Sequence, residues 1–159
     1  MEQAAEALAS GEFPVGCIIA RGERIIADGR RQSSRGQTAN EIDHAEILAL
    51  KALYEYPSGA DGSCLSIYST LEPCLMCFGA ILIAGIGRVV YAYEDVMGGG
   101  TACARQQLPP LYRNRPVAVV PGVCRSQGLE LMRRFFADPA NTYLQDTLLA
   151  EYTLQQESP

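Results

Sequence analysis

Two short strings in this 159-residue chain carry side chains that could do chemistry together. The first is Thr70-Leu71-Glu72-Pro73-Cys74-Leu75-Met76-Cys77-Phe78-Gly79-Ala80, with two cysteines at C-x-x-C spacing directly after a proline. The first turn of a helix leaves its N–H groups unbonded, so a proline there loses nothing, and Pro73 is read as the first helical residue. Cys74 and Cys77 then stand three residues apart on one helical face, near the positive end of the helix dipole, which favours thiolates. The spacing also describes a redox pair or two buried thiols. The second string, His44-Ala45-Glu46, holds the only histidine in the sequence and leads into the apolar run Ile47-Leu48-Ala49-Leu50. With a helix opening near Asp43, His44 and Glu46 lie in its first turn, where side chains lean back past the helix end. Asp43-x-x-Glu46 also reads as a capping box with Asp43 as N-cap, a reading that leaves the cysteines unexplained. One imidazole and two thiolates make a Cys2His zinc set whose fourth position stays open to water, the catalytic type of zinc site.

His44-Ala45-Glu46 together with Pro73-Cys74-x-x-Cys77 resembles the H-x-E…P-C-x-x-C signature of the zinc-dependent cytidine and nucleobase deaminase superfamily. The longer string from Thr70 to Ala80, Pro14-Val15-Gly16, and Ile86-Gly87-Arg88-Val89-Val90-Tyr91 resemble the branch of tRNA adenosine deaminases and bacterial guanine deaminases. The likeness runs well from Met1 to Asp95 and weakly beyond. It implies a three-layer α/β/α fold with a central five-stranded mixed sheet, and a single deaminase domain over residues 1–159. It implies one zinc ion on His44, Cys74 and Cys77, with Glu46 carrying protons from water to the substrate ring and on to the leaving ammonia. For the substrate pocket it implies Val15 as apolar wall, the backbone N–H of Ala45, and a carbonyl of Glu72 or Pro73 accepting from the exocyclic amine. It also implies a homodimer, for which Phe78, Ile81, Leu82 and the outer face of the cysteine helix are the candidate interface.

One position departs from that family. Where an asparagine usually holds the base, Asp28-Gly29-Arg30-Arg31-Gln32-Ser33 puts Arg31. The stretch before the histidine, Asn40-Glu41-Ile42-Asp43, also differs from the family's usual short string. An amide donates and accepts, whereas a guanidinium only donates, so Arg31 suits a carbonyl, carboxylate or phosphate on the substrate. If Arg31 points outward, Gln32 or Asn40 would supply the amide.

The elements that must position these residues follow from periodicity. Met1–Ser10 reads as a short helix, Phe13–Ala20 and Arg24–Asp28 as a hairpin turning at Arg21-Gly22-Glu23, and Asp43–Tyr56 as the histidine helix. Pro57–Ser63 reads as a turn. Leu65–Leu71 and Arg88–Tyr93 read as strands flanking the helix Leu75–Ala84, and Val117–Val120 as a short strand. Gln127–Ala137 and Tyr143–Tyr152 read as helices. Gly98-Gly99-Gly100 lacks the Lys-Ser/Thr of a phosphate loop and reads as a flexible connection. With 48% hydrophobic and 19% charged residues the composition is globular. No apolar run reaches membrane-spanning length and no leader pattern opens the chain, so the expected compartment is the cytoplasm. There metal use accounts for Cys74 and Cys77 better than disulfides do, while Cys17, Cys64, Cys103 and Cys124 read as ordinary thiols.

The net charge of −5 disfavours general binding of nucleic-acid backbone. From Asp138 onward there are four acids (Asp138, Asp146, Glu151, Glu157) and no Lys or Arg. The expected function is therefore hydrolytic zinc deamination of a nucleobase, nucleoside or related heterocyclic amine. Wobble-adenosine deamination of tRNA is the second reading. A non-catalytic zinc module, closed by a further thiol such as Cys103, is the third.

Overall fold

In the computed structural model, which describes residues 1–35, 40–55 and 61–156, the β-branched runs pair into one five-stranded mixed sheet. The strands are β1 (Gly16–Arg21), β2 (Arg24–Arg30), β3 (Ser66–Leu71), β4 (Arg88–Tyr93) and β5 (Ala118–Val120), in the order β2-β1-β3-β4-β5. β1 runs antiparallel to both β2 and β3, whereas β3, β4 and β5 are mutually parallel. The helices are α1 (Glu2–Ala9), α2 (Ala45–Glu55), α3 (Leu75–Ala84), α4 (Pro110–Arg113), α5 (Arg125–Phe136) and α6 (Leu148–Gln155). The five-stranded α/β architecture expected from the motifs is the one observed.

Two glycines on the hairpin show how the helices divide between the faces. Gly16 pairs with Arg30 and Cys17 with Gly29, so Gly16 and Gly29 present opposite faces of the sheet. A Cβ on Gly16 would meet the Ala4 backbone of α1 at 2.5 Å; one on Gly29 would meet the Ala45 carbonyl at 2.3 Å and the Ala49 amide of α2 at 2.6 Å. Backbone thus rests directly on backbone at both places, with α1 on one face and α2 on the other. α5 joins α1, and α3 joins α2, completing the layers. The core between them draws on Ile19, Ile67 and Val89 of the sheet, Ala49 and Leu50 of α2, Phe78, Ile81 and Leu82 of α3, and Leu129, Met132 and Phe135 of α5.

Several boundaries differ from the sequence reading, each for a local reason. β1 starts at Gly16, not Phe13, because the Val15 N–H turns back to the Phe13 carbonyl at 2.7 Å and the Gly16 N–H bonds the Thr70 hydroxyl at 3.0 Å. The last helix starts at Leu148, not Tyr143. Leu144 and Asp146 take positive φ values of 56° and 58°, and the Thr147 side chain caps the helix by accepting from the Ala150 N–H. Gly98-Gly99-Gly100 is a packed segment: the Gly100 N–H bonds the Pro73 carbonyl at 2.9 Å, and a Cβ on Gly99 would fall 2.5 Å from the Glu72 carboxylate. Phe78, Ile81 and Leu82, expected at a dimer interface, are buried in the chain's own core. The outward apolar side chains of α3 are Leu75, Met76 and Ile83. The expected helix end at Tyr56, most of the Pro57–Ser63 turn and residues 36–39 of the loop after β2 lie outside the described residues. Among those described, no helix is long and apolar enough to cross a membrane.

Gly29 is where α2, and so the histidine string, is seated. Gly29→Ala is expected to destabilise the fold by about 1–3 kcal/mol through overpacking, read as a lower urea midpoint at unchanged slope.

Candidate active site

The N-termini of α2 and α3 meet beyond the C-terminal ends of β3 and β4, the crevice where open α/β sheets bind ligands. The His44 carbonyl accepts the Leu48 N–H at 3.0 Å, so His44 is itself the N-cap and α2 opens at Ala45. Asp43 is therefore not the cap. Its carboxylate accepts from Lys51 at 2.6 Å and from the Asn40 amide at 2.7 Å, while Glu46 turns inward, 3% exposed, too far inside to close a capping box. On the other helix Cys74 is the N-cap and α3 opens at Leu75. Pro73 thus precedes the helix, contrary to the sequence reading, because the chain is still extended at Cys74, with φ −65° and ψ 171°. The spacing nevertheless delivers both sulfurs to the histidine. His44 Nδ1 lies 3.6 Å from Cys74 Sγ and 3.5 Å from Cys77 Sγ.

The donor set fits zinc. Tetrahedral bonds of about 2.05 Å to nitrogen and 2.3 Å to sulfur put N and S roughly 3.6 Å apart, the separation seen here. All three ligating atoms lie within 4.8 Å of one another, and no fourth side chain of metal-binding type joins them among the described residues. Cys103, the thiol considered for closing the site, packs instead beside the hydrophobic core. The set is the open, three-ligand kind. Hydrogen bonding from the Cys77 thiol, then from His44, holds Cys74 down at about 4. The same pairing, with burial and the Glu46 charge, pushes Cys77 up.

Glu46 is aimed at this set. Its Oε1 accepts from the Ser69 hydroxyl at 3.2 Å and its Oε2 lies 3.6 Å from Cys77 Sγ. Burial raises its carboxyl above the ordinary range.

A cavity of about 220 Å³ opens on His44, Ala45, Glu46 and Cys74. Of the expected substrate contacts, Val15, Arg31, Ala45 and Glu72 line it. Glu72 uses its carboxylate to hold the segment after β4, accepting from the Thr101 hydroxyl at 2.5 Å and the Asp95 N–H at 3.3 Å. Pro73 does not line the cavity, and its carbonyl is taken by Gly100. Gln32 is exposed, and the Asn40 side chain binds the Asp43 carboxylate and the Ile42 N–H, so neither amide enters. Sequence reasoning missed Phe13, Glu41, Leu71, the Asp95, Met97 and Gly98 stretch and the C-terminal trio Tyr143, Leu144 and Leu149, which complete the lining. Only the unusual stretch around Glu41 gave a signal; Tyr143 stood in what read as an ordinary helix. A larger hollow of about 470 Å³, lined by α1 and the facing strands, contains none of the metal-binding residues.

Fold and site together define a zinc-dependent hydrolase with a buried carboxylate beside the metal ligands. The profile of the cytidine and deoxycytidylate deaminase zinc-binding region matches residues 1–93. A tRNA-specific adenosine deaminase of Streptococcus pyogenes serotype M18 is 30% identical over 136 residues, covering 86% of this chain and 84% of that protein. One of Agrobacterium fabrum is 35% identical over 134 residues, covering 80% and 82%. Among solved structures, one from a study of A-to-I editing by tRNA:A34 deaminases superposes with TM-score 0.63 at 27% identity, covering 76% of this chain and 92% of that one. A guanine deaminase from Nitrosomonas europaea shares the fold, with TM-score 0.67 at 23% identity, covering 84% and 79%. The chain belongs to the cytidine and deoxycytidylate deaminase zinc-binding family and is a zinc-dependent hydrolytic deaminase.

Metal analysis is expected to find one zinc per chain. The double variant Cys74→Ala/Cys77→Ala should lose it, and chelation should lower the melting temperature of the parent, because ligand deprotonation and folding are coupled. Zinc retained at full occupancy in the double variant contradicts the assignment.

Proposed function

We propose that the substrate is a free nucleobase, nucleoside or related heterocyclic amine, deaminated with release of ammonia. The observation that carries this reading is the cavity. At about 220 Å³ it is smaller than the roughly 300–1,000 Å³ of drug-sized ligand sites, and Tyr143 and Leu144 complete its wall. That room suits one ring system. Zinc held by His44, Cys74 and Cys77 supplies Lewis-acid activation of water. The residues of the chain do the rest. Ser69 fixes Glu46 through Oε1. That leaves Oε2 to take a proton from the attacking water and deliver it to the ring nitrogen beside the attacked carbon. Ala45, first residue of α2, offers a backbone N–H that has no partner within its own helix. In the net change the water oxygen bonds to the ring carbon and the first water proton stays on the ring nitrogen of the oxo product; Glu46 passes the second to the exocyclic nitrogen, whose bond to the carbon breaks as it leaves as ammonia.

The second reading, deamination of a tRNA base, has its support in the tRNA-specific adenosine deaminases among the relatives. Against it stand the net charge of −5 and a terminal stretch without Lys or Arg after Asp138. A single domain over residues 1–159 is supported by Leu129, Met132, Leu149 and Ala150, which pack into the same core as the metal-bearing helices. Six free cysteines fit a reducing cytoplasm. A homodimer is supported by the exposed apolar row Leu75, Met76 and Ile83 on α3.

Ammonia release from guanine, adenine, cytosine, their nucleosides and a tRNA anticodon stem-loop tests the substrate class. Turnover confined to the stem-loop overturns the small-substrate reading. Glu46→Gln is expected to keep zinc and fold while lowering turnover by about 10²–10⁴-fold, measured on whichever substrate the parent uses. Ile83→Glu should shift the protein from dimer to monomer in light scattering, whereas an unchanged mass removes this face as the interface.

A further inference from the structure

Arg31 is 2% exposed, yet most of its hydrogen-bonding capacity is unused. It follows directly on β2, where its backbone N–H is fixed to the Val15 carbonyl at 2.9 Å, and its side chain enters the cavity wall. Nη2 donates to Glu41 Oε2 at 2.9 Å and to the Tyr143 hydroxyl at 3.1 Å. The Tyr143 hydroxyl donates in turn to Glu41 at 2.8 Å, and the guanidinium lies 5.7 Å from the Tyr143 ring centre. Nε and Nη1 are buried and meet no acceptor among the described residues. Buried donors left in this state are rare and destabilising, and a guanidinium cannot relieve the problem by accepting or by losing its proton.

The nearby carboxylates do not supply the missing acceptor. Glu72 is engaged by Thr101 and the Asp95 N–H, and Glu46 by Ser69. The Glu41 pair occupies only one of the three guanidinium nitrogens, and its carboxylate side chain is 57% exposed. A ligand group in the cavity that Arg31 lines is a candidate for the missing acceptor. Charge decides its kind: zinc balanced by the Cys74 and Cys77 thiolates adds no net charge, and besides Arg31 and the metal ligands His44 and Cys74 the acidic or basic side chains lining the cavity are Glu41, Glu46, Glu72 and Asp95, all acidic. A phosphate or carboxylate would meet four carboxyl groups around one cation, whereas a neutral oxygen escapes that repulsion.

We infer that Arg31 recognises a neutral oxo group on the heterocycle, so that the site takes oxo-bearing aminopurines or aminopyrimidines in preference to adenine. This rests on the small-substrate reading above and gives it a specificity determinant. A site built to hydrogen-bond a substrate group discriminates strongly against the analogue lacking it, because its own polar groups are then left unpaired.

Binding to the zinc-loaded Glu46→Gln variant, which blocks turnover, tests the assignment by calorimetry. The probes are cytosine against 4-aminopyrimidine, guanine against 2-aminopurine, adenine, and cytidine 5′-monophosphate as the anionic arm. In at least one pair the oxo compound should bind about 10–100-fold more tightly, and adding Arg31→Met should bring the pair together. Should Arg31→Met lose zinc or fail to fold, Arg31→Lys carries the comparison, since it keeps the charge without the planar donor set. Equal binding within both pairs, or a preference that survives loss of the guanidinium, overturns the role of Arg31 and leaves the deaminase assignment intact. An Arg31-dependent preference for the nucleotide overturns the neutral-oxo claim. If no probe binds and the parent releases ammonia only from the tRNA stem-loop, the small-substrate reading fails, and the inference fails with it.

Discussion

His44 and the two cysteines can share a cation only if the N-termini of α2 and α3 are held at one point, and that convergence is what the sheet is arranged to produce. α2 is seated through Gly29, where its backbone lies against β2 without an intervening side chain. α3 follows β3 after three residues and returns through Gly85 to the parallel strand β4. The Thr70 hydroxyl ties the end of β3 to Gly16 at the start of β1. A helix end carries unbonded N–H groups and a partial positive charge, so two of them together favour thiolates and an ionised acid in a place that burial would otherwise keep neutral.

That favourable field is opposed by crowding. Two sulfurs, an imidazole and the buried Glu46 carboxyl lie in contact, and the proton that lowers Cys74 raises Cys77. Both thiols must be ionised to ligate a metal, and a bound dication would hold them ionised together at neutral pH. Glu46 is kept out of the ligand set by Ser69, which holds one of its oxygens toward β3. The same burial that would penalise a structural carboxylate leaves this one within reach of the protonated form.

The other side of the cavity is built from a part of the chain that the family profile does not reach. That profile ends at residue 93, while Tyr143, Leu144 and Leu149 close the pocket. α6 is held for this purpose by Glu94, just past β4, which pairs with Arg125 and accepts from the Tyr152 hydroxyl at 2.6 Å. The Tyr93 and Thr153 hydroxyls meet behind it at 3.2 Å. Phe13 completes the support, 5.5 Å from the Tyr143 ring. The metal ligands therefore lie within the matched region, while part of the cavity wall lies beyond it.

The sequence by itself carried the Cys2His donor set, the glutamate two residues after the histidine, the chain order of the main strands and helices, and the odd cation at Arg31. Each is carried by residue type and short spacing: His-x-Glu, Pro-Cys-x-x-Cys, β-branched runs of strand length, and an arginine in an otherwise familiar string. Those signals act within a few residues, where backbone geometry fixes which side chains can meet. Only the tertiary structure decided that Cys74 and His44 are caps rather than helical residues, that Pro73 serves the Gly100 segment, and that Phe78, Ile81 and Leu82 face inward. It alone brought Glu41 and Tyr143, 102 positions apart, to one guanidinium. No local pattern marks such a meeting, because it depends on the packing of α5 and α6 against β4 and not on the propensity of either residue.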